Sequence, residues 1–458
     1  MAKAVLQALS VAVIGGGWAG CAAAMELARA GHAATVYEAA RTLGGRARKV
    51  EREAQDKLTV LDNGQHILLG AYTETLRLLK LSGQDPRDVI LDLPLQMRYP
   101  DGSGGMDFIA PRWPAPLHLA WALLRATGLG RADKVALMRF SSAMRWMGWQ
   151  LYNDCTVSEL LERFDQTDRL IQLMWRPLCL AALNTPPERA SAKVFVNVLR
   201  DSLGARRRRA SDMLIPKTNL SALFPEAAAR YMESHGGQVR PGVKIESLQA
   251  LPDGRWQLNS AATHDRVVLA TSSSQAASLL ASVGDPAVEG VVAQLQTFAF
   301  EAISTCYLQY DTAVRLDLPF YALVDAPEQA HWGQFVFDRG QLDARQAGLL
   351  AVVISASGHA AAQGHEALAQ AVAAQLAQVL RMPQLVRPAW TQVITEKRAT
   401  FACTPDLPRP ANATGLPGLV LAGDYTAGDY PATIEAAVRS GVQAAALVCQ
   451  INMPATKA

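Results

Sequence analysis

Three glycines and one carboxylate near the start of the chain carry the first chemistry. Gly15, Gly17 and Gly20 form G-x-G-x-x-G, and Glu38 follows about 20 residues on. Gly15 permits a tight turn, Gly17 lets backbone approach a pyrophosphate, and Gly20 lets a helix pack closely on a strand. The amides of Trp18 and Ala19 open that helix and face the anion. Glu38 is placed to accept hydrogen bonds from ribose hydroxyls. Shortly after it, Arg41-Thr42-Leu43-Gly44-Gly45-Arg46 offers two more glycines for close backbone approach and, in Arg46, a cation to offset phosphate charge.

The elements that must position these groups are legible around them. Val11 to Ile14 is a short continuous apolar run, as a central parallel strand requires. An Ala-rich helix from Cys21 to Arg29 ends at Gly31, and a second strand, Ala34 to Tyr37, delivers Glu38. The order strand, triplet, helix, strand, acid is that of a dinucleotide-binding βαβ unit.

With R-x-x-G-G-R behind it, this unit resembles the FAD-dependent amine oxidase and carotenoid desaturase superfamily. Two later segments extend the resemblance. Gly236 to Val243 is similar to the segment whose backbone holds the adenine, which falls on Val243. Asp265 to Thr271 is similar to the returning strand, although Ser272 stands where many members have Gly. Near the end, Leu419 to Asp424 precedes Pro431, Thr433, Ile434, Glu435 and Gly441. The resemblance implies that Gly423 and Asp424 approach phosphate and ribityl oxygens and that amides near Thr433 and Ile434 meet the flavin ring. It further implies an α/β fold: a Rossmann-like FAD-binding domain from residues 1–85, 205–288 and 388–458. An inserted mixed α+β substrate domain takes residues 86–204 and 289–387. The first insert is expected to be largely helical. The second has strand-like runs at Ala302–Tyr310 and Gln334–Phe337, then a helix with Leu368, Val372, Leu376 and Val379 in step.

Four local sequences narrow the resemblance: Leu61 to His66, Trp175 to Leu178, Leu180 to Pro186, and Glu396 to Phe401. With the FAD motifs, over nearly the whole chain, they resemble the hydroxysqualene dehydroxylases, the squalene-associated FAD-dependent family of bacterial hopanoid biosynthesis. That implies a reductive reaction on hydroxysqualene or a similar long apolar isoprenoid, with an unidentified electron donor. Hydroxide leaves poorly, so an acid must protonate or hydrogen-bond it. By resemblance Asn63, Gly64 and Gln65 supply flavin-contacting backbone. His66 is the leading proton donor, with a side chain that titrates near neutrality, and Asp62 would orient it. The plainer alternative is that Asp62 and His66 only support the turn. Lys397 and Arg398 are candidates to stabilise a reduced flavin, or surface ions. The competing functions are an oxidative polyene desaturase of the same fold, a flavin amine oxidase, and a non-catalytic lipid-binding flavoprotein.

Composition bounds these readings. The 458 residues are 50% hydrophobic and 19% charged, which gives material for a large core and excludes a disordered chain. A net charge of +3 argues against nucleic-acid binding. Six dispersed cysteines without a C-x-x-C pair indicate reduced thiols, a cytoplasmic setting and no metal site. The opening run MAKAVLQALSVAVIGGG is better explained by a buried first strand than by a secretion signal. Trp113, Trp121, Trp146, Trp149 and Trp175 are five of the nine tryptophans. They and the neighbouring methionines suit helix packing and the walls of a channel for a polyene. Arg206 to Arg209 is a solvated loop or, in the sharper reading, a contact to anionic lipid headgroups on the inner face of the membrane.

Overall fold

The computed structural model describes residues 8–54 and 57–450. Residues 1–7 of the leading apolar run, and 451–458 of the expected cofactor domain, lie outside the described residues. Val11, Val13 and Ile14 are buried because the strand Ser10–Ile14 lies at the centre of a five-stranded parallel sheet. Across the sheet the order is Gln238–Pro241, Ala33–Glu38, Ser10–Ile14, Arg266–Leu269 and Leu419–Leu421. The register lines up five valines in one row: Val239, Val36, Val13, Val268 and Val420. β-branched side chains on every strand give the sheet two apolar faces, as a parallel sheet covered on both sides needs.

Helix α1 (Trp18–Arg29) crosses from the first strand to the second, and eleven of its twelve residues are buried. The close fit follows from size. A Cβ on Gly20 would lie 1.9 Å from the carbonyl oxygen of Gly15.

A second, antiparallel sheet runs Phe320–Ala322, Phe335–Asp338, Leu349–Ser355, Phe300–Gln309 and Trp390–Phe401. Its strands alternate sides, as the period of two requires. Leu308, Val336 and Val352 face the helix His365–Val379, whose Leu368, Val372 and Leu376 are buried as their spacing predicts. Phe335, Phe337 and Val353 face the other way. Opposite them lies the helical insert: α2 (Leu117–Arg125), α3 (Arg131–Trp146), a π-helical turn Ile171–Trp175 leading into Arg176–Leu183, and α4 (Ala192–Ser202). The expected helical character of this insert is present, but short strands precede it at Ile90–Leu93, Gln96–Arg98 and Asp107–Ile109. The final helix, α5 (Ile434–Gln450), packs on α1, where a Cβ on Gly441 would meet the Ala19 carbonyl oxygen at 2.2 Å. No helix among the described residues is long and apolar enough to cross a membrane.

Candidate active site

The carboxyl ends of the parallel strands converge on one crevice. Gly15 turns out of the first strand at φ +107°, where an L side chain is strained, and its Cβ position would strike Ala270. Gly17 is different. A Cβ there would meet only the Cα of Gly45, at 3.8 Å, so the space above it is not filled by protein. Gly44 bridges to Gly17 and donates its N–H to the Gly16 carbonyl at 2.9 Å, so Gly44 and Gly45 form the opposite wall. Glu38 accepts from Gly16 N (2.7 Å) and Ala40 N (2.8 Å), which fixes its carboxylate beside the loop with lone pairs left for other donors. Trp18 contributes its amide at the helix start, while its ring is buried against Phe224 and donates to the Ala47 carbonyl. Ala19 is buried beneath α5. This narrow, glycine-walled slot at the N-terminus of α1 has the shape and polarity of a pyrophosphate cradle.

The far end of the chain closes the crevice. Asp424, which follows Gly423 and the last parallel strand, accepts from Arg46 Nη2 at 2.6 Å, and Arg46 Nη1 reaches the Ala399 carbonyl. Burial works against the Arg46 charge, yet Asp424 and Glu396 hold the guanidinium more firmly protonated than usual. The cation expected to offset phosphate is therefore already paired. Gly423 is hemmed in by the Tyr425 ring and donates to Ser440 Oγ. Thr433 caps α5, accepting from Ala436 N at 3.2 Å, and Ile434 opens that helix. Val243 lies where the adenine segment is expected, but its N–H is donated to the Glu38 carbonyl at 2.9 Å, leaving only its carbonyl free.

From this crevice an apolar cavity of about 710 Å³ extends toward the helical insert. Its inner end is lined by Arg46, Asn63, Gly64, Gln65, His66, Glu396, Thr433 and Ile434, and its walls include Met97, Phe108, Phe140, Met174, Phe335 and Phe337. Of the five clustered tryptophans only Trp149 and Trp175 line it. Asn63 donates to Arg46 O and Glu396 Oε2, and Gln65 accepts from the buried Arg339. Lys397 and Arg398 are exposed and do not line the cavity; Arg398 bonds Ser274.

The two residues expected to carry the proton chemistry are placed differently: His66 lines the cavity and Asp62 does not. Asp62 is buried but does not line the cavity; it accepts from Leu220 N at 2.7 Å, holding two chain segments together. Burial pushes its carboxyl up to about 6, against the pull of Arg339 and that amide. His66 does line the cavity. Its Nδ1 lies 2.8 Å from the Gly64 carbonyl oxygen, which can only accept, so Nδ1 carries the hydrogen. Burial pulls its pKa below the usual histidine range; the Gly64 bond opposes this and Arg46 adds to it. With the hydrogen on Nδ1, Nε2 of the neutral ring is a hydrogen-bond acceptor that faces the cavity.

Polar groups that local sequence did not reveal also reach the cavity. Tyr430 donates to Asp201 at 2.5 Å. Burial works against the Asp201 charge, but Arg200 and Tyr430 hold the carboxyl below its usual range. Asn184, left-handed at φ 48°, joins Thr400 Oγ1 to the backbone of Ala356. Asn184 and Thr400 lie within the diagnostic segments Leu180–Pro186 and Glu396–Phe401, so a signal existed; for Asp201 and Tyr430 none did.

A crevice of this kind at the carboxyl ends of a parallel sheet, opening into an apolar cavity, defines a nucleotide-dependent oxidoreductase. The chain belongs to the flavin-containing amine oxidoreductase family, whose pattern it matches over residues 18–449, and its cofactor is FAD. Within that family it is 30% identical to hydroxysqualene dehydroxylase from Rhodopseudomonas palustris, covering 96% of this chain and 98% of the relative. It is 29% identical to the Sinorhizobium fredii enzyme of the same name, over 96% and 98% of the two chains. The fold is shared with an oxidoreductase from Methanosarcina mazei at a TM-score of 0.71 and 14% identity, covering 95% of this chain and 99% of the other.

Proposed function

We propose that the protein reductively dehydroxylates hydroxysqualene, or a similarly long apolar isoprenoid allylic alcohol, to the corresponding polyene. The observation that carries this is the cavity, which is lined mainly by apolar side chains and meets the nucleotide crevice at Arg46, Asn63 and Glu396. Its mostly hydrocarbon walls suit an allylic C–O bond on a long greasy chain better than a charged amine.

Bound reduced FAD, as FADH2, would supply overall one hydride and one proton, so that the C–O bond breaks, a C–H bond forms and the hydroxyl leaves as water. The open slot between Gly17 and Gly44-Gly45, with Glu38 beside it, would hold the dinucleotide; Asn63 to Gln65 and the amides of Thr433 and Ile434 would face its ring. The protein's own contributions are positioning and exclusion of water. Phe335, Phe337 and Phe140 wall the cavity and keep water from it. Nε2 of His66 accepts the substrate hydroxyl hydrogen bond and orients the C–O bond. A separate donor returns two electrons after each turnover.

We also propose that residues 1–85, 205–288 and 388–458 form the nucleotide-binding unit and residues 86–204 and 289–387 the substrate unit, except that the strand Trp390–Phe401 pairs in the antiparallel sheet and goes with the substrate unit. Support comes from the parallel sheet, which draws strands from each of the first three segments. The enzyme is proposed to work on the cytoplasmic side of an anionic membrane, the source of its substrate.

The test is an anaerobic single turnover of fully reduced enzyme with hydroxysqualene. Flavin reoxidation with one equivalent of squalene is expected. Failure to reoxidise, with flavin reduction by a more saturated polyene instead, would establish the desaturase reading.

A further inference from the structure

The twelve large apolar side chains exposed among the described residues are unevenly placed, nine of them falling between residues 109 and 152. On α2 they are Leu117, Trp121 and Leu124; on α3, Val135, Met138 and Trp146, the last 90% exposed. Spacings of three, four and eight residues put each set on one outward stripe. The opposite sides are already packed: His118 and Ala122 on α2, and Ala136, Leu137, Phe140 and Met144 on α3, are buried. The outward stripes are therefore surplus to the core, and together they exceed scattered single exposures.

This patch surrounds the mouth of the cavity. Leu124, Val135 and Met138 are both exposed and cavity-lining. Lys134, also at the mouth, ties the two helices by donating to the Leu124 carbonyl at 2.9 Å.

The charge around the patch has one sign. Arg112, Arg125, Arg131, Lys134, Arg139 and Arg145 are its basic residues, and Asp133 is the single acid between residues 109 and 152. Asp133 is buried and bonded to Gly130 N and Thr167 Oγ1. Among the described residues, only Arg112 of the six has a carboxylate within reach, Asp92 at 3.8 Å. The arginine run 206–209 borders the same helix: Ser211 Oγ lies 3.2 Å from His118, and Arg209 approaches the same Asp92. Within that run Arg208 is held by Asp212 at 2.5 Å, while Arg206 and Arg207 are exposed.

We infer that the α2–α3 face docks in the interfacial layer of an anionic membrane, with the cavity mouth opening into lipid. Aromatic and aliphatic side chains on one stripe with unpaired cations around them are the chemistry of an interfacial helix. A second copy of this chain would set these cations against one another. The docking deepens the proposed lipid chemistry, because an apolar substrate passes from bilayer to cavity without crossing water.

The experiment uses the full-length FAD-loaded protein and vesicles of phosphatidylcholine, alone or mixed with phosphatidylglycerol. Wild type should sediment with the mixed vesicles, less so in high salt, and bromine-labelled acyl chains should quench its tryptophan emission. Leu117→Glu/Trp146→Glu and, separately, Arg131→Glu/Arg139→Glu should each lower vesicle partition by about tenfold or more, with FAD content and circular dichroism unchanged. None of these four residues lines the cavity. Equal partition of wild type and both variants overturns the inference. So does a vesicle-indifferent dimer that Leu117→Glu/Trp146→Glu dissociates. Vesicle binding is read without substrate, so its failure leaves the proposed reaction standing, and failure of the reaction leaves the membrane face standing.

Discussion

The nucleotide crevice and the apolar cavity share Arg46, Asn63 and the start of α5, yet they are built on opposite terms. The crevice is made of backbone and of missing side chains: Gly15, Gly17, Gly20, Gly44 and Gly45 shape it by what they lack. The cavity is made of side chains from residues 46 to 434, brought together only by packing. A backbone-built site tolerates almost no change at its glycines. A side-chain-built site tolerates exchange of one apolar wall for another and is tuned by volume.

The sharpest way to break the contrast is within the crevice. Gly20→Val places its Cβ on the Gly15 carbonyl and should cost at least about 3 kcal/mol of stability. Gly17→Val meets open space, so the apoprotein should unfold within about 0.5 kcal/mol of wild type, while FAD affinity falls about 100-fold. Urea unfolding and flavin titration check both; a folded Gly17→Val with normal affinity removes the pyrophosphate from this slot.

Next in size is Asp62. Its folded-state pKa of about 6 lies above the ordinary 3.8, so the folded state binds the proton more tightly. Stability on this account is fully present below pH 3.8 and is lost as pH rises through 6, by about 2–3 kcal/mol. Asp62→Asn keeps an acceptor for Leu220 N and removes the ionisation. It should be more stable than wild type above pH 6, and the difference should vanish near pH 4.

In the cavity, Ala182→Phe adds bulk to a lining position. It should raise KM for a long substrate about tenfold, about 1.4 kcal/mol, without altering FAD affinity. Loss of flavin instead would mean that crevice and cavity are coupled more tightly than their construction suggests.

The smallest effect is expected at His66. Glutamine preserves an acceptor, so His66→Gln should keep the single-turnover rate within about threefold. An essential acid would lose about 10²–10⁴. A loss of that size would overturn the neutral tautomer deduced from Gly64.

What was legible in the sequence follows the same division. The parallel strands, α1, Glu38 and the antiparallel strands near residues 302–310 and 334–337 come from short local patterns, and the structure places them at those positions. The inner lip of the cavity, Asn63 to His66, was legible through resemblance. The Asp201–Tyr430 pair was not, because the two residues lie far apart in sequence. The hydrogen-bond partners of Asp62 and His66 were not legible for a related reason. A titratable residue type can be read from sequence, but the carbonyl or amide that fixes its proton cannot. Arg206 to Arg209 are contiguous in sequence, whereas the cations of α2 and α3 are dispersed in sequence and become one surface only in the fold.

The meeting of Arg46 with Asp424, and of Ala19 with Gly441, has a consequence for how the protein is made. The first wall of the crevice leaves the ribosome early, and the last only after more than four hundred residues. A nascent chain holds the glycine slot without the Asp424 clamp or the α5 lid. The crevice therefore gains its second wall only when the segment around Asp424 and α5 has been made, and until then α1 lacks the helix that covers its flank.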